Sequence, residues 1–402
     1  ILVGGIVIFI VATAGMTSTT YVQFIKGGLL IVFSIVLVIA VLGRGLSTSP
    51  DQGGDVPFHD YETLTAERVG NFITVEGYTP AEIVNVTGVT LVKLNAVDSL
   101  HGTNDVLDGF WWKVIERENG TLTLHETQWV EERPEATVIN GAPNNELRQV
   151  GSMELIKGKP DVETGALGPF EFLSIISDKE SLIRRWKTAR FEQNGADVTV
   201  YYPEMTPGNE IMRPGQKFKV QGTPIQKLEF ISLMLALFLG TAALPHVLIR
   251  FYTVPSPAAA RKSTIVAIAA IGFFYILTLY MGLGAMVNGV VNLTDNNMSA
   301  PLLARSFGLV LFSIISAIAF ATVLGTVSGL IVASSGAIAH DLVDRFSGRN
   351  MDDHVKVRVG RIAAFGVGIV AIILGIVFKG MNVSFLVGWA FAVSASAHLP
   401  AI

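Results

Sequence analysis

LEFISLMLALFLGTAALPHVLIRFYTVPSPAAARK, residues Leu228–Lys262, decides how the rest of the chain is read. It is an apolar helix long enough for a membrane, interrupted by Gly240, Thr241 and Pro245 and closed by Arg250, Arg261 and Lys262. Proline removes a backbone donor and clashes with the preceding turn. Non-helical backbone at bilayer depth survives only where it is buried in protein or lines a wet cavity. The interruption is either a kink that adjusts packing or one wall of a binding site.

Composition sets the class around that stretch. Of 402 residues, 50% are hydrophobic and only 15% charged, and the mean hydropathy is positive. This is too apolar for an ordinary soluble domain and points to a polytopic membrane protein in a lipid bilayer. A formal net charge of −4 gives no reason to expect nucleic acid as a partner. Cysteine is absent, which excludes disulfides, cysteine–metal sites and thiol nucleophiles. The chain opens at Ile1 inside an apolar run without the charge pattern of a signal peptide, and stops at Ile402 inside another. We read it as a piece of a longer protein.

Apolar runs of membrane-crossing length number seven: Ile1–Gly15, Tyr21–Leu42, Phe230–Tyr252, Ser263–Val287, Ser306–Ala339, Ile362–Phe378 and Val383–Ile402. Lys26 is assigned to the turn between the first two. The loop after the third run carries Arg250, Arg261 and Lys262, and that after the fifth carries Arg345, Arg349, Lys356, Arg358 and Arg361. By the positive-inside rule these loops face the cytoplasm of a cell inner (plasma) membrane. Residues 43–227 then lie outside, dividing the chain into helices at 1–42, an inserted domain at 43–227 and helices at 228–402. No Lys or Arg is expected within the core of a span.

The inserted segment is polar and rich in short β-branched runs broken by Gly, Pro and Asn, so it reads as a mostly β extracytoplasmic domain. Phe110–Trp129 predicts a hairpin around Asn119-Gly120. Val84–Val97, Ala196–Tyr202 and Lys217–Gln221 are further strands, Phe170–Arg190 a helix, and Trp111, Trp112, Trp129 and Trp186 the core.

Enzyme signatures are missing. The sequence has no P-loop, and the Gly-Leu-Gly of Gly282–Gly284 lies in an apolar run without a preceding strand, which makes it packing. His59 and His125 read as surface histidines, while His246 and His340 near cytoplasmic helix ends are solvated groups or proton relays. In FATVLGTVSGLIVASSGAIAHD, Phe320–Asp341, residues Thr322, Thr326, Gly329, Ala333 and Gly336 share one helical face. Small residues suit close helix packing. Hydroxyl oxygens at i and i+4 also suit a hard cation.

Together these stretches resemble the sodium/solute symporter family, and within it the cation/acetate symporter (acetate permease-like) branch. The residues that carry the likeness are GMTSTTYVQFIKGGLL (Gly15–Leu30), EFISLMLALFLGTAALPHVLIRFYTV (Glu229–Val254) with ARKS (Ala260–Ser263), FATVLGTVSGLIVASSGAIAHDL (Phe320–Leu342) and WAFAVSASAHLPAI (Trp389–Ile402). The resemblance implies an α-helical, leucine-transporter-type inverted-repeat fold, with the runs here as core helices four to ten and core helices one to three upstream. It implies a cation site shared between core helices one and eight, whose second half falls on Thr322, Gly325 and Thr326. It also places substrate binding and gating at Gly240, Thr241 and Pro245 on broken core helix six. The implied function is symport of Na⁺ or H⁺ with acetate or another short monocarboxylate, with no enzyme activity and no cofactor beyond the ion. A transporter-like input domain of a membrane sensor kinase, or a symporter for another small solute, is the alternative. A small membrane subunit or an extracytoplasmic partner is compatible with either.

Three departures matter. Gly325-Thr326 stands where many relatives have a hydroxyl pair. Thr19-Thr20-Tyr21-Val22-Gln23 stands where many have an Asp in a TDxxQ motif. The outer domain is larger than acetate permeases would suggest.

Overall fold

The computed structural model describes residues 4–6, 8–9, 16–86, 88–96, 109–117, 121–134, 136–143, 145–213, 215, 220, 222–248, 251, 254–345, 352–381 and 383–398. The chain divides into two compact units. One holds Ile1–Val36, Arg213–Thr278 and Ser313–Ile402; the other holds Leu37–Met212 and Leu279–Phe312.

Helix α1, Met16–Arg44, leads into the β-structure. Lys26 therefore sits inside a helix and not in a turn, because the backbone is helical without a break from Met16 through the whole Tyr21–Leu42 run. After α1, residues 63–126 form a closed antiparallel barrel of six strands: β1 Thr63–Val69, β2 Phe72–Thr74, β3 Ala81–Val86, β4 Val89–Leu94, β5 Phe110–Glu116 and β6 Leu122–Glu126. Closure comes from pairing of β1 with β6, Thr63 opposite His125. Closing the sheet removes the unpaired edges that would otherwise invite aggregation. The expected strand Val84–Val97 is thus two strands, turned beside Gly88 with Val86 opposite Val89. The hairpin of β5 and β6 forms as expected, from Trp112 opposite Glu126 to Glu116 opposite Leu122. Its Asn119-Gly120 turn lies outside the described residues.

A second sheet follows: β7 Gln128–Glu132, β8 Thr137–Ile139, β9 Ala142–Pro143, β10 Ser152–Leu155, then helix α2 Pro169–Ile176, β11 Leu182–Gln193 and β12 Ala196–Pro207. Its spatial order is β10-β11-β12-β7-β8-β9. Here Phe170–Arg190 is corrected, since only its first part is helical. Beyond Ile176 the chain pairs residue by residue with β12, from Leu182 opposite Pro207 to Gln193 opposite Ala196. The turn is Asn194-Gly195, both with positive φ (53° and 76°), the two-residue geometry that matches strand twist. Ala196–Tyr202 is a strand as expected and runs on to Pro207, while Lys217–Gln221, apart from Val220, lies outside the described residues.

Adjacent strand residues point to opposite faces, so Trp111 and Trp112 enter different cores. Trp112 joins Ala66, Ile73, Val92, Leu94, Leu122 and Leu124 inside the barrel. Trp111 joins Trp129, Leu91, Val138, Ala189, Val198 and Val200 in a layer between barrel and sheet. Burying each such side chain is worth roughly 2–3 kcal/mol. Trp186 is only half-buried and packs its ring against Tyr61 at 5.2 Å.

Further helices include α3 Pro224–Ala242, α4 Pro245–Leu248, α5 Pro257–Val287, α6 Ser299–Arg305, α7 Leu309–Ala337, α8 Asp353–Val377 and α9 Val383–Ala397. Thr223 begins α3 with a capping box, its hydroxyl accepting from the Gln226 N–H while the Gln226 side chain accepts from the Thr223 N–H. Among the described residues, five stretches are long and apolar enough to cross a membrane: Gln23–Arg44, Pro224–Leu248, Pro257–Val287, Leu309–Val343 and His354–Val377. Val383–Ala397 is apolar but shorter. The expected first run, Ile1–Gly15, lies largely outside the described residues, and its described residues are helical.

At the C-terminal end of α1, Arg44 donates to Ser306 Oγ at 2.9 Å and to Asn288 Oδ1 at 3.3 Å, and stacks 3.7 Å from the Phe307 ring centre. A cation at a helix C-terminus also meets the negative end of the helix dipole. The ends of α1, α5 and α6 are tied there.

Candidate functional site

The broken helix is real. α3 ends at Ala242, and the Ala243 N–H bonds back to Leu239 O at 3.1 Å and Gly240 O at 3.2 Å. Pro245 then starts α4. Proline suits a first helical position, where its missing N–H has no intrahelical partner to lose. Of the residues expected at this gate, Gly240 is buried while Thr241 and Pro245 are exposed. Thr241 Oγ1 donates to Leu237 O at 2.6 Å. Gly240 faces helix α9: a Cβ there would stand 2.8 Å from the Phe391 carbonyl carbon and 2.9 Å from its Cα. Only glycine allows two backbones this close.

Helix α7 carries Thr322, Gly325 and Thr326. Each threonine hydroxyl donates to the carbonyl one turn back, Thr322 to Ile318 O at 2.7 Å and Thr326 to Thr322 O at 3.0 Å. A hydroxyl has one donor and two acceptor lone pairs. With the hydrogen used on the helix, its oxygen can present lone pairs outward, the ligand type a hard cation takes. Ser328 on the other side of α7 does the same toward Leu324 O at 2.7 Å but is buried. There α7 packs on α8 through Ile331, Leu324, Val327 and Val332 against Ala364 and Val367.

Helix α1 reaches the α7 backbone directly. Gln23 Nε2 donates to Gly325 O at 2.6 Å, and Lys26 Nζ donates to Ala321 O at 2.7 Å. The two rungs run in opposite sequence directions, so the helices are antiparallel at this contact. Gly325 makes room for them: a Cβ there would be 3.3 Å from both Gln23 Cγ and Lys26 Nζ. The sequence reading does not offer these two as site candidates, since it places Lys26 in a turn and Gln23 only at the end of a motif. Their three-residue spacing on one helical face was the available signal. The residues expected at the cation site thus lie on α7 beside α1, and those expected at the gate lie at the α3 break, with Gly240 against α9.

Beside the barrel, a cavity of about 240 Å³ is lined in part by Pro50, Phe58, His59, Tyr61, Arg148 and Gly289. His59 and His125 are half-buried and not free on the surface. His59 Nε2 lies 2.8 Å from Glu126 Oε1, and Arg148 Nη1 lies 3.7 Å from the same oxygen. Burial holds His125 below the usual imidazole range. Burial also pushes the Tyr61 phenol up to about 12, against the opposing pull of the Arg184 guanidinium 4.7 Å from its ring. Among the described residues no group of three or more His, Asp or Glu could hold a metal ion.

Helices of this length and apolarity define a multi-pass membrane protein. Residues 191–402 match the sequence profile of the sodium:solute symporter family, and the chain belongs to that family, one of transporters and not of enzymes. It is 46% identical over 200 residues to a monocarboxylic acid transporter of Corynebacterium glutamicum, covering 48% of this chain and 36% of that relative. Over 223 residues it is 41% identical to the uncharacterized symporter YwcA of Bacillus subtilis, covering 53% of this chain and 42% of that relative. The matched stretch spans less than half the length of either. No solved structure matches the chain.

Proposed function

We propose that the full-length protein is a secondary symporter that couples inward movement of a cation, Na⁺ in the first instance, to uptake of acetate or another short monocarboxylate. The observation that carries this reading is the α7 face, where Thr322 and Thr326 keep their hydrogens on the helix and their oxygens available. The likeness to a monocarboxylic acid transporter supports the substrate class. At the break, small Gly240 and Thr241 leave backbone groups near a helix end, where polar contacts to a small carboxylate cost little reorganisation. Residues 43–227 are assigned to the outer face of a cell inner membrane, with the basic loops inside. A cation that fixes α7 and favours the substrate-binding arrangement of α3 couples the two by linkage.

The test is uptake of labelled acetate, pyruvate and propionate by the full-length protein in proteoliposomes, with a Na⁺ or an H⁺ gradient imposed separately. Uptake of at least one monocarboxylate under one gradient is expected. No uptake of any of them under either gradient sinks the reading.

A further inference from the structure

We propose that Lys26 is a tethered cation at the edge of the α7 face: its ammonium holds α7 carbonyl oxygen as a mobile ion would, and it sets how strongly the site demands Na⁺. This rests on the reading of the α7 face as a cation site.

Three observations converge. The first is position. Lys26 Nζ donates to Ala321 O at 2.7 Å, and Ala321 immediately precedes Thr322. Its neighbour Gln23 takes Gly325 O at 2.6 Å, and Gly325 immediately precedes Thr326. Both backbone oxygens already serve the α7 helix, so α1 is using their second lone pairs.

The second is charge. An ammonium carries three N–H donors and no acceptor. Among the described residues no Asp or Glu pairs with Lys26, and Ala321 O is its hydrogen-bond acceptor. Lys26 lies 18 residues before Arg44 in the same helix, about 27 Å along the axis at 1.5 Å per residue. The hydrocarbon core is about 30 Å thick, so this ammonium stands far from the outer surface. That puts it near the opposite end of the span Gln23–Arg44, where a lysine can reach for the interface; this one instead turns its ammonium onto the α7 backbone.

The third is space. Gly325 is buried, and a Cβ there would sit 3.3 Å from Lys26 Nζ. The absent side chain gives the lysine end its room against α7.

The consequence follows from Coulomb repulsion. A mobile cation between Thr322 and Thr326 meets a fixed positive charge one residue away along α7, which weakens its binding. Removing the charge frees Ala321 O and removes the repulsion, so the neutral variants bind Na⁺ more tightly. An arginine keeps the charge and leaves the site as it was.

The experiment needs no transport substrate. Full-length wild type, Lys26→Met, Lys26→Gln and Lys26→Arg are purified, checked for monodispersity, and unfolded thermally in NaCl against choline chloride at equal ionic strength. Lys26→Met and Lys26→Gln are expected to gain a sodium-specific stabilisation with apparent affinity about tenfold tighter than wild type, and Lys26→Arg to match wild type. Lys26→Gln keeps a neutral donor and serves if the methionine variant does not fold. The same sodium response in wild type and both neutral variants overturns the proposal and leaves the α7 cation site standing. So does a weaker response in the neutral variants. A sodium response in none of the four removes the sodium site and the proposal with it, while the monocarboxylate reading is still decided by uptake.

Discussion

Gly240 on α3 and Gly325 on α7 are both buried, and both let a neighbouring helix approach. At Gly240 the neighbour is backbone: the carbonyl carbon and Cα of Phe391 on α9. At Gly325 the neighbours are the ends of two long side chains, Gln23 and Lys26 on α1. Backbone in a packed helix cannot give, whereas a glutamine or lysine end can rotate away. The same residue therefore makes a rigid joint in one pair and an adjustable one in the other. An adjustable joint suits the cation site proposed on α7, where an ion would come and go.

That contrast can be broken by substitution. Gly240→Ala is expected to do most damage: its methyl must push α9 away, at about 3 kcal/mol or more, the upper end of overpacking costs. Thermal unfolding of the purified full-length protein measures this, and a loss near zero would mean that α3 and α9 are not locked at Gly240. Gln23→Leu comes next. It removes the donor to Gly325 O while the helix keeps its own hydrogen bond to that oxygen, so about 1 kcal/mol should be lost.

Gly325→Ala sharpens the comparison, because the same change as at position 240 should cost much less. Alanine gains about 1 kcal/mol of helix propensity over glycine, which offsets the shift forced on Gln23 and Lys26. The net change should lie within about 1 kcal/mol of zero. A cost equal to that of Gly240→Ala would erase the distinction between the joints. Thr241→Ala is the smallest. Its side chain is exposed and bonded to its own helix, so stability should stay within about 0.5 kcal/mol. Any rise in the KM for monocarboxylate then reports substrate contact and not unfolding.

Much of this was legible in the residues. Long apolar runs, Pro245 in one of them and the three- and four-residue spacing on α7 gave the spans, the break and the hydroxyl face. Alternation around Trp111 and Trp112 gave strands, though not that one tryptophan would fill the barrel and the other the layer outside it. That depends on closure of the barrel through β1 and β6, a pairing far apart in sequence. The helix expected at Phe170–Arg190 failed because Arg184, Arg185, Lys187 and Arg190 blur the period-two pattern of a strand. Asn194-Gly195 just beyond was the sign that a hairpin, not a helix, was forming.

The Lys26 assignment failed for a different reason. Apolar-run scanning places helix ends where polarity rises, and a lysine near such an end is read as loop. Whether it turns outward to solvent or inward to a neighbour depends on Ala321 and Gly325, which lie almost 300 residues later. No local pattern in Gly15–Leu30 carries that information.

The central claim is that α7 presents a cation-binding face through Thr322 and Thr326. Its most direct test is Thr326→Ala in the full-length protein, with labelled monocarboxylate uptake followed against external Na⁺ concentration. Losing one oxygen ligand should raise the Na⁺ concentration for half-maximal uptake by about tenfold, as loss of a charge-assisted contact predicts, with the protein still folded and inserted. A Na⁺ dependence identical to wild type would contradict the account.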